Sequence, residues 1–262
     1  MPLLAFLSIL FELYAPMWLT LDIGNSAIKG GMFDQHQIVD SWRCPYTEWN
    51  AQWRERLVTQ TRDCSRVGIS SVVPDRTREL ATLLGGLPVL HVNHRLQLPF
   101  VLGYKAPGTL GADRLAAAAA AWHFYGATPR NILVLDAGTT ITYTVVSRDG
   151  VLRGGAIGCG PGLLGHALAD GTAQLPLVAP QLPATVIGTS TEEALQIGIL
   201  VAYVDQVRGM IARIQNALKD RPLIVATGGW HGFLLEHAPS IDHADPFLVL
   251  RGVDLLMSKN LP

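Results

Sequence analysis

The sequence is poor in features that mark several common protein classes. Its 262 residues include three cysteines without CxxC spacing, which imply neither a disulfide framework nor a zinc site and favour reduced thiols in the cytoplasm. The formal net charge of −1 provides no basic field for nucleic acid, so no nucleic-acid partner is expected. Charged residues form 16% of the chain and hydrophobic residues 49%, which argues against disorder and is typical of a compact α/β protein.

Several catalytic and nucleotide-binding motifs are also missing. The chain has no Gly-x-x-x-x-Gly-Lys-Ser/Thr loop, no Gly-x-Ser-x-Gly elbow and no His-Glu-x-x-His zinc motif. A Gly-x-Gly-x-x-Gly pattern occurs at 160–165, but Pro161 interrupts it, and no acid follows at the distance needed to hold a ribose. We therefore expect a tight glycine turn there, packed against a ligand or another backbone segment.

The segment 1–16 is apolar without matching a targeting sequence. It lacks a basic start, Glu12 interrupts its apolar run, and it is too short to span a bilayer. We interpret 1–16 as an extension or a misassigned start, because Met17 stands where the first buried strand would begin. No membrane partner is expected.

The sequence contains one pattern that occurs twice. Residues 19–34 read LTLDIGNSAIKGGMFD, and residues 134–149 read VLDAGTTITYTVVSRD. In each copy an apolar run ends in an acid, a glycine and small polar residues follow, and a second β-rich run begins. This pattern predicts a hairpin with a tight polar turn. Such a turn suits phosphate, because glycine exposes backbone N–H groups and the acid can hold a hydrated cation.

The repetition indicates a duplicated domain, with halves at 17–125 and 126–262 and one phosphate-binding turn from each half facing a shared cleft. The first half reads βββαβαβ, an alternation that favours a mixed sheet flanked by helices. In the second half, periodicity predicts a long amphipathic helix at 191–218 and a strand at 223–226. Thr-Gly-Gly at 227–229 is either a plain strand-to-helix turn or a close approach to a nucleotide, and both readings stay open.

A further cluster, Gly111-Ala112-Asp113-Arg114, follows a loop rich in turn residues and opens an alanine-rich helix. An acid at a helix start serves as a cap in many proteins. Here Arg114 opposes the helix dipole, so capping does not explain the cluster. A carboxylate after a glycine-rich loop can instead act as a general base, if it reaches the attacking hydroxyl.

The duplicated turns, the Gly-Ala-Asp-Arg cluster and Ala-Thr-Gly-Gly at 226–229 together resemble the type III pantothenate kinases. That family belongs to the acetate kinase, sugar kinase, Hsp70 and actin superfamily. The resemblance runs from about Met17 to the C-terminus and implies an α/β fold of duplicated ribonuclease H-like (actin-like ATPase) domains with a cleft between the lobes. It also implies transfer of the γ-phosphoryl group of ATP to pantothenate, the first step towards coenzyme A.

The resemblance implies roles for individual residues. Asp22 would hold hydrated Mg²⁺ near the ATP phosphates, Asp136 would bind K⁺ or NH₄⁺, and Thr139 would contact the nucleotide. Asp113 would take the proton from the terminal hydroxyl of pantothenate. Thr191 would reach pantothenate from the partner subunit, which implies a homodimer. The first ATP loop would comprise Asp22, Ile23, Gly24, Asn25, Ser26, Ala27, Ile28 and Lys29. The pantothenate site would comprise Tyr104, Gly111, Ala112, Asp113 and Arg114, with Thr191 from the partner.

Two other functions are compatible with the turns. Another small-metabolite kinase of the superfamily would keep both turns and use a different acceptor. An actin-like, ATP-switched regulatory or interaction protein would show nucleotide-dependent assembly and would not need Asp113. The second alternative is weakened by length, because the chain has little room for insertions that carry filament contacts.

Overall fold

A computed structural model describes residues 17–238 and 240–261. The interpretation of 1–16 lies outside the described residues. By its internal contacts the chain divides into two compact units. The first unit comprises 17–98, 106–120 and 249–261, and the second comprises 99–105, 121–238 and 240–248. The predicted boundary between duplicated halves concerns a repeat in sequence, which a division by contacts does not test, so it stays a prediction.

The first unit is built on a five-stranded mixed sheet. Its elements are β1 (Met17–Ile23), β2 (Ala27–Asp34), β3 (Gln37–Pro45), a 3₁₀ turn (Tyr46–Glu48), α1 (Ala51–Thr61), β4 (Cys64–Ser71), α2 (Pro74–Ala81), β5 (Val89–His91), a second 3₁₀ turn (Pro107–Thr109) and the start of α3 (Ala112–Tyr125). The sheet order is β3-β2-β1-β4-β5, antiparallel across the first three strands and parallel across the last three. The predicted order βββαβαβ is confirmed.

The second unit carries a six-stranded sheet. Its elements are β6 (Val101–Leu102), β7 (Ile132–Ala137), β8 (Thr140–Ser147), β9 (Val151–Cys159), α4 (Pro161–Gly171), α5 (Thr191–Gln196), a π-helical turn (Ile197–Val201), α6 (Ala202–Leu218), β10 (Leu223–Thr227), α7 (His231–His237) and β11 (His243–Ala244). The sheet order is β11-β10-β7-β8-β9-β6. A last helix, α8 (Leu248–Asn260), belongs almost entirely to the first unit.

The two sheets repeat one topology. In each, a hairpin (β1–β2 or β7–β8) is extended by a third antiparallel strand, and a later strand (β4 or β10) pairs parallel with the first strand of the hairpin. The first strands are buried on both faces, since Leu19, Leu21, Leu133 and Leu135 are fully buried together with their neighbours. The predicted α/β fold with duplicated mixed sheets flanked by helices is therefore confirmed.

The helix predicted at 191–218 is present, interrupted by the π-helical turn. By length and composition alone the stretch could cross a membrane. However, its buried side chains, among them Tyr203, Val207 and Ile211, pack in one cluster with Leu135 and Tyr143 of the second sheet. We therefore read it as a core helix.

Two details of packing correct or extend the sequence prediction. The glycine-rich stretch at 160–165 is the start of helix α4, with Gly160 as N-cap and Pro161 in the first turn, where proline is favoured. In the first unit, the alanine run of α3 is buried, and a Cβ added at Gly252 of α8 would lie 1.9 Å from the Ala116 carbonyl oxygen. Glycine at 252 therefore permits backbone contact between α8 and α3.

Candidate functional site

The loop between β1 and β2 places Asp22 at the end of a buried strand. Its side chain is only 8% exposed, and Lys29 Nζ lies 3.3 Å from Asp22 Oδ2. Asp22 pairs with Lys29 in the antiparallel register, which brings the two side chains together. Ser70 Oγ on the neighbouring strand β4 donates to Asp22 Oδ1 at 3.4 Å. Both carboxylate oxygens are thus held by donors from adjacent strands.

The turn itself is closed by backbone hydrogen bonds. The Gly24 N–H donates to the Ala27 carbonyl oxygen at 3.1 Å, and the Tyr46 N–H donates to the Ser26 carbonyl oxygen at 3.2 Å. The Tyr46 hydroxyl donates to the Gly24 carbonyl oxygen at 2.6 Å. Asn25 and Ser26, at the tip, are exposed. The loop therefore has a fixed backbone and exposed polar side chains, as a phosphate-binding turn requires.

Asp113, in the first turn of α3, lies in the same unit as Asp22. Burial raises the pKa of its carboxyl group, and the negative charge of Asp22 raises that pKa further. The Arg114 N–H, which donates to Asp113 Oδ1 at 2.8 Å, and the Arg114 charge act in the opposite direction. A Cβ at Gly111 would approach Asp113 Oδ1 to 2.4 Å, so glycine there leaves space for the carboxylate. A carboxylate with a raised pKa is a better proton acceptor than an ordinary aspartate.

Ala112 and Arg114 flank this carboxylate and are both buried. The local hydrogen bond from the Arg114 N–H shows that Asp113 does contact its own helix start. Its burial beside a second acid goes beyond what a surface cap needs. The structure therefore brings together Asp22, Lys29, Gly111 and Asp113, which the sequence placed in two separate motifs.

The second loop, between β7 and β8, is held by glycine contacts. The Gly138 N–H donates to the Thr140 carbonyl oxygen at 2.9 Å, and the Gly160 N–H donates to the Thr139 carbonyl oxygen at 3.0 Å. A Cβ at Gly160 would lie 2.3 Å from the Gly138 carbonyl oxygen. The expected close approach of the 160–165 segment to another backbone segment is confirmed at Gly160.

Asp136 is half-buried at the end of β7 and is packed against Gly228. Gly228 has φ +87°, and a Cβ there would lie 2.5 Å from both the Ala137 carbonyl oxygen and Asp136 Oδ1. The Trp230 N–H donates to the same Ala137 oxygen at 2.9 Å. Thr-Gly-Gly at 227–229 is therefore a strand-to-helix turn that also approaches the second acid, so one open reading is confirmed and the nucleotide contact stays a prediction.

Two buried tyrosines lie beneath this loop and were not singled out from the sequence. Burial raises the pKa of Tyr143 to about 12. Burial, and then the neighbouring Tyr143 and Asp136, raise the pKa of Tyr203. Tyr143 follows the strand alternation of β8, and Tyr203 follows the helical spacing of α6. These patterns predict only that both are core residues, so no local signal distinguishes them from other core aromatics.

The remaining predicted residues lie in the second unit. The Tyr104 ring carbons lie 3.4 Å from the position of a Cβ at Gly154, whose φ is +116°, so that glycine accommodates the ring. Thr191 is exposed at the start of α5, directly after the N-cap Ser190. Their predicted contacts with pantothenate, including the one from a partner subunit, stay predictions.

Among the described residues, no group of three or more His, Cys, Asp or Glu side chains is placed to hold a metal ion. Mg²⁺ commonly binds through one or two carboxylates together with waters and substrate phosphates. A single fixed carboxylate such as Asp22 beside an exposed phosphate-type turn fits that requirement. Asp136 is half-buried at the second turn, and its predicted role as a ligand of a monovalent cation stays a prediction.

The family model described as type III pantothenate kinase matches residues 18–213. The chain belongs to the type III pantothenate kinase family. Relatives named type III pantothenate kinase, from Acidothermus cellulolyticus and Chlorobaculum tepidum, are each 33% identical over 94% of this chain, and the matches cover 100% and 96% of those proteins.

A solved structure gives independent support for the fold. A conserved Campylobacter jejuni protein, assigned in its description to the Baf family of transcriptional activators, matches with a TM-score of 0.59 at 19% identity. The match covers 92% of this chain and 97% of that one. At this identity the likeness establishes the shared fold alone.

Proposed function

We propose that this chain phosphorylates the terminal hydroxyl of pantothenate with Asp113 as the general base and the Asp22 loop as the ATP phosphate site. The reaction, ATP-dependent phosphorylation of pantothenate on the route to coenzyme A, follows from family membership. The observation that carries the residue assignment is the position of Asp113 in the first turn of α3, with its carboxylate accommodated at Gly111, in the same compact unit as the Asp22 loop.

Phosphoryl transfer depends mainly on positioning and on stabilising charge. Asp22, held by Lys29 and Ser70, would orient the water ligands of a bound Mg²⁺ toward the phosphates, and the exposed tip of the turn at Asn25 and Ser26 offers them polar groups. When bound, Mg²⁺ supplies positive charge that offsets the charge of the phosphate oxygens. Asp113 accepts the proton of the attacking hydroxyl and orients that oxygen.

The second loop contributes to nucleotide and cation binding in this proposal. Asp136 provides the oxygen ligand for K⁺ or NH₄⁺, and Thr139 contacts the nucleotide. The fixed backbone around Gly138 and Gly160 supports this role, because a loop with few alternative conformations loses little entropy on binding.

Pantothenate binding is assigned to Tyr104 and to the cluster at 111–114. The protein acts as a homodimer in which Thr191 reaches the pantothenate of the partner subunit. Exposure of Thr191 at a helix start supports this, because its hydroxyl is accessible to a second chain. We place the protein in the cytoplasm, without nucleic-acid or membrane partners.

The test is ADP release from ATP and Mg²⁺, with pantothenate present or omitted, in potassium and in sodium buffer. The proposal expects release that depends on pantothenate and is faster in potassium. Asp136→Asn should remove the difference between the two buffers. Release without an acceptor would contradict the proposal and favour an ATP-switched protein. An acceptor screen in which another metabolite replaces pantothenate would favour a different small-metabolite kinase.

A further inference from the structure

One residue outside the recognised motifs is attached to the first ATP loop at two points. Tyr46 follows β3 and begins a 3₁₀ turn. Its N–H donates to the Ser26 carbonyl oxygen at 3.2 Å, and its hydroxyl donates to the Gly24 carbonyl oxygen at 2.6 Å. Tyr46 therefore holds the Gly24–Asn25 peptide group through its side chain and the Ser26–Ala27 peptide group through its backbone.

The hydrogen bond that holds the Gly24 carbonyl oxygen also fixes the direction of the Asn25 N–H. The peptide group is planar and trans, so the N–H of Asn25 points opposite to the Gly24 carbonyl. Because that carbonyl is directed to the Tyr46 hydroxyl, the Asn25 N–H is directed away from Tyr46. A phosphate-binding turn works through such N–H groups, and its affinity depends on their being oriented before the ligand arrives.

Tyr46 is itself held from the other side. The Arg76 guanidinium lies over its ring, 4.8 Å from the centroid, at a distance typical of a cation–π contact. Arg76 pairs with Glu79 of α2, with 2.7 Å between Nη1 and Oε2, and Glu79 also accepts from Trp49 Nε1 at 2.9 Å. A tyrosine hydroxyl is protonated at neutral pH and can donate, and burial raises the pKa of the Tyr46 hydroxyl further.

We propose that Tyr46 is a positioning residue for the ATP phosphates, acting through the Gly24 carbonyl, and that Arg76 and Glu79 hold its ring in place. The inference rests on the proposed assignment of the Asp22 loop to ATP. It predicts an effect on nucleotide affinity with little effect on the acceptor.

Tyr46→Phe removes the hydroxyl and keeps the ring. The loss of one hydrogen bond should weaken Mg·ADP binding and raise the KM for ATP by about 3- to 10-fold. The KM for pantothenate should stay within twofold. Tyr125→Phe is the matched control, since that ring stacks on His243 at 4.7 Å, far along the chain from the loop; neither KM should change.

A second variant tests the support of the ring. Arg76→Met removes the charge over Tyr46 and the pair with Glu79, and should weaken Mg·ADP binding in the same direction. Arg76→Lys keeps a cation and should recover part of the affinity. If Tyr46→Phe fails to fold, these two variants carry the test, because an effect confined to nucleotide binding is not expected from general destabilisation.

Calorimetric binding of Mg·ADP, measured without pantothenate, separates this inference from the proposed reaction. If the wild-type protein shows no pantothenate-dependent turnover but Tyr46→Phe still weakens Mg·ADP binding, the reaction assignment fails and the role of Tyr46 stands. If Tyr46→Phe binds Mg·ADP like the wild type, or raises both KM values equally, Tyr46 is not a positioning residue for the phosphates.

Discussion

The two duplicated loops keep the same hairpin but are stabilised by different means. The first is fixed by side chains, because Lys29 and Ser70 hold Asp22, and Tyr46 holds the turn. The second is fixed by backbone contacts, because Gly160 and Gly228 lie against its carbonyl groups. The two hairpins therefore share their strand topology and differ in the contacts that hold their turns.

A difference of one residue in the turn explains part of this divergence. In the first hairpin the last strand pair before the turn is Ile23 with Ile28, and in the second it is Ala137 with Ile141, so the second connection is one residue shorter. A shift of one residue moves every following side chain to the other face of a strand. The position opposite the acid is consequently Lys29 in the first copy and Thr142 in the second.

This contrast has a chemical consequence. In the first loop the acid already has a cationic partner within the protein, so its charge is offset before any ligand binds. In the second, the residue paired with Asp136 is neutral. The two acids therefore differ in the residue that faces them across the hairpin, a lysine for Asp22 and a threonine for Asp136.

The largest expected effect is that of Asp113→Asn on turnover. Removing a general base costs about 10²–10⁴-fold in rate, and kcat for pantothenate phosphorylation should fall by that amount. The folded-state pKa of Asp113 is raised, so its contribution to stability is complete below the unfolded pKa and is lost as pH rises through the folded pKa. At pH 7 the variant should therefore unfold at a temperature equal to or above that of the wild type.

Asp75→Asn is the control for this comparison, because Asp75 is an exposed acid of the same unit. It should leave kcat unchanged. If Asp113→Asn retained full activity, the carboxylate would not be the base. If the variant melted well below the wild type, the unfavourable burial of the charged Asp113 carboxylate would be contradicted.

An intermediate effect, on the free energy of unfolding, is expected when Gly228 beside the second loop is replaced by alanine. Gly228→Ala introduces a Cβ at φ +87°, 2.5 Å from the Ala137 carbonyl oxygen. Strained backbone of this kind costs about 1–3 kcal/mol, so the free energy of unfolding in urea should fall by that amount. Gly229→Ala, one residue later and with no atom within 4 Å of the added Cβ, should change it by less than about 0.5 kcal/mol. Equal effects of the two substitutions would mean that the second loop is not held by close backbone packing.

The smallest expected effect concerns the charged support of the first loop. Hydrogen bonds from Trp49 and then Arg76 lower the pKa of Glu79, so its stabilising contribution is present above the unfolded pKa and is lost as pH falls through the folded pKa. Glu79→Gln should therefore destabilise the protein by less than about 1 kcal/mol at pH 7. The difference from the wild type should shrink below the ordinary glutamate pKa of about 4.3.

Urea unfolding at several pH values measures this difference, with Glu192→Gln as the control because Glu192 is an exposed acid of the second unit. A Glu79→Gln effect that stays constant down to the acid end of the series would show that the charge of Glu79 does not support the first loop.

The parts of the fold that could be predicted are those with a local signal. The runs ending in Asp22 and Asp136 follow strand periodicity and carry their turn residues with them, so both hairpins could be predicted. Helix α4 was expected as a turn because glycine is dense there, although Pro161 in the first turn is a helix-start signal.

The support of the site could not be predicted in the same way. Ser70 reaches Asp22 only because β4 pairs with β1, and Tyr46 reaches Gly24 only because β3 returns beside β2. These contacts depend on strand order and register, which no short stretch of sequence encodes. The one-residue difference in turn length could not be predicted either, because aligning Asp22 with Asp136 does not show at which residue the second strand of each hairpin begins.

The contact between α3 and α8 determines when the first unit can finish folding during synthesis. Helix α3, which carries Asp113 in its first turn, packs at Ala116 against Gly252, and every strand of the second sheet except β6 is encoded between these two residues. A ribosome adds about 5–20 residues each second, so α3 is synthesised several seconds or more before α8. The first unit can therefore finish folding only after the second has been translated. A chain that ended before Gly252 would contain both hairpin turns, but helix α3, which carries Asp113, would lack its packing partner α8.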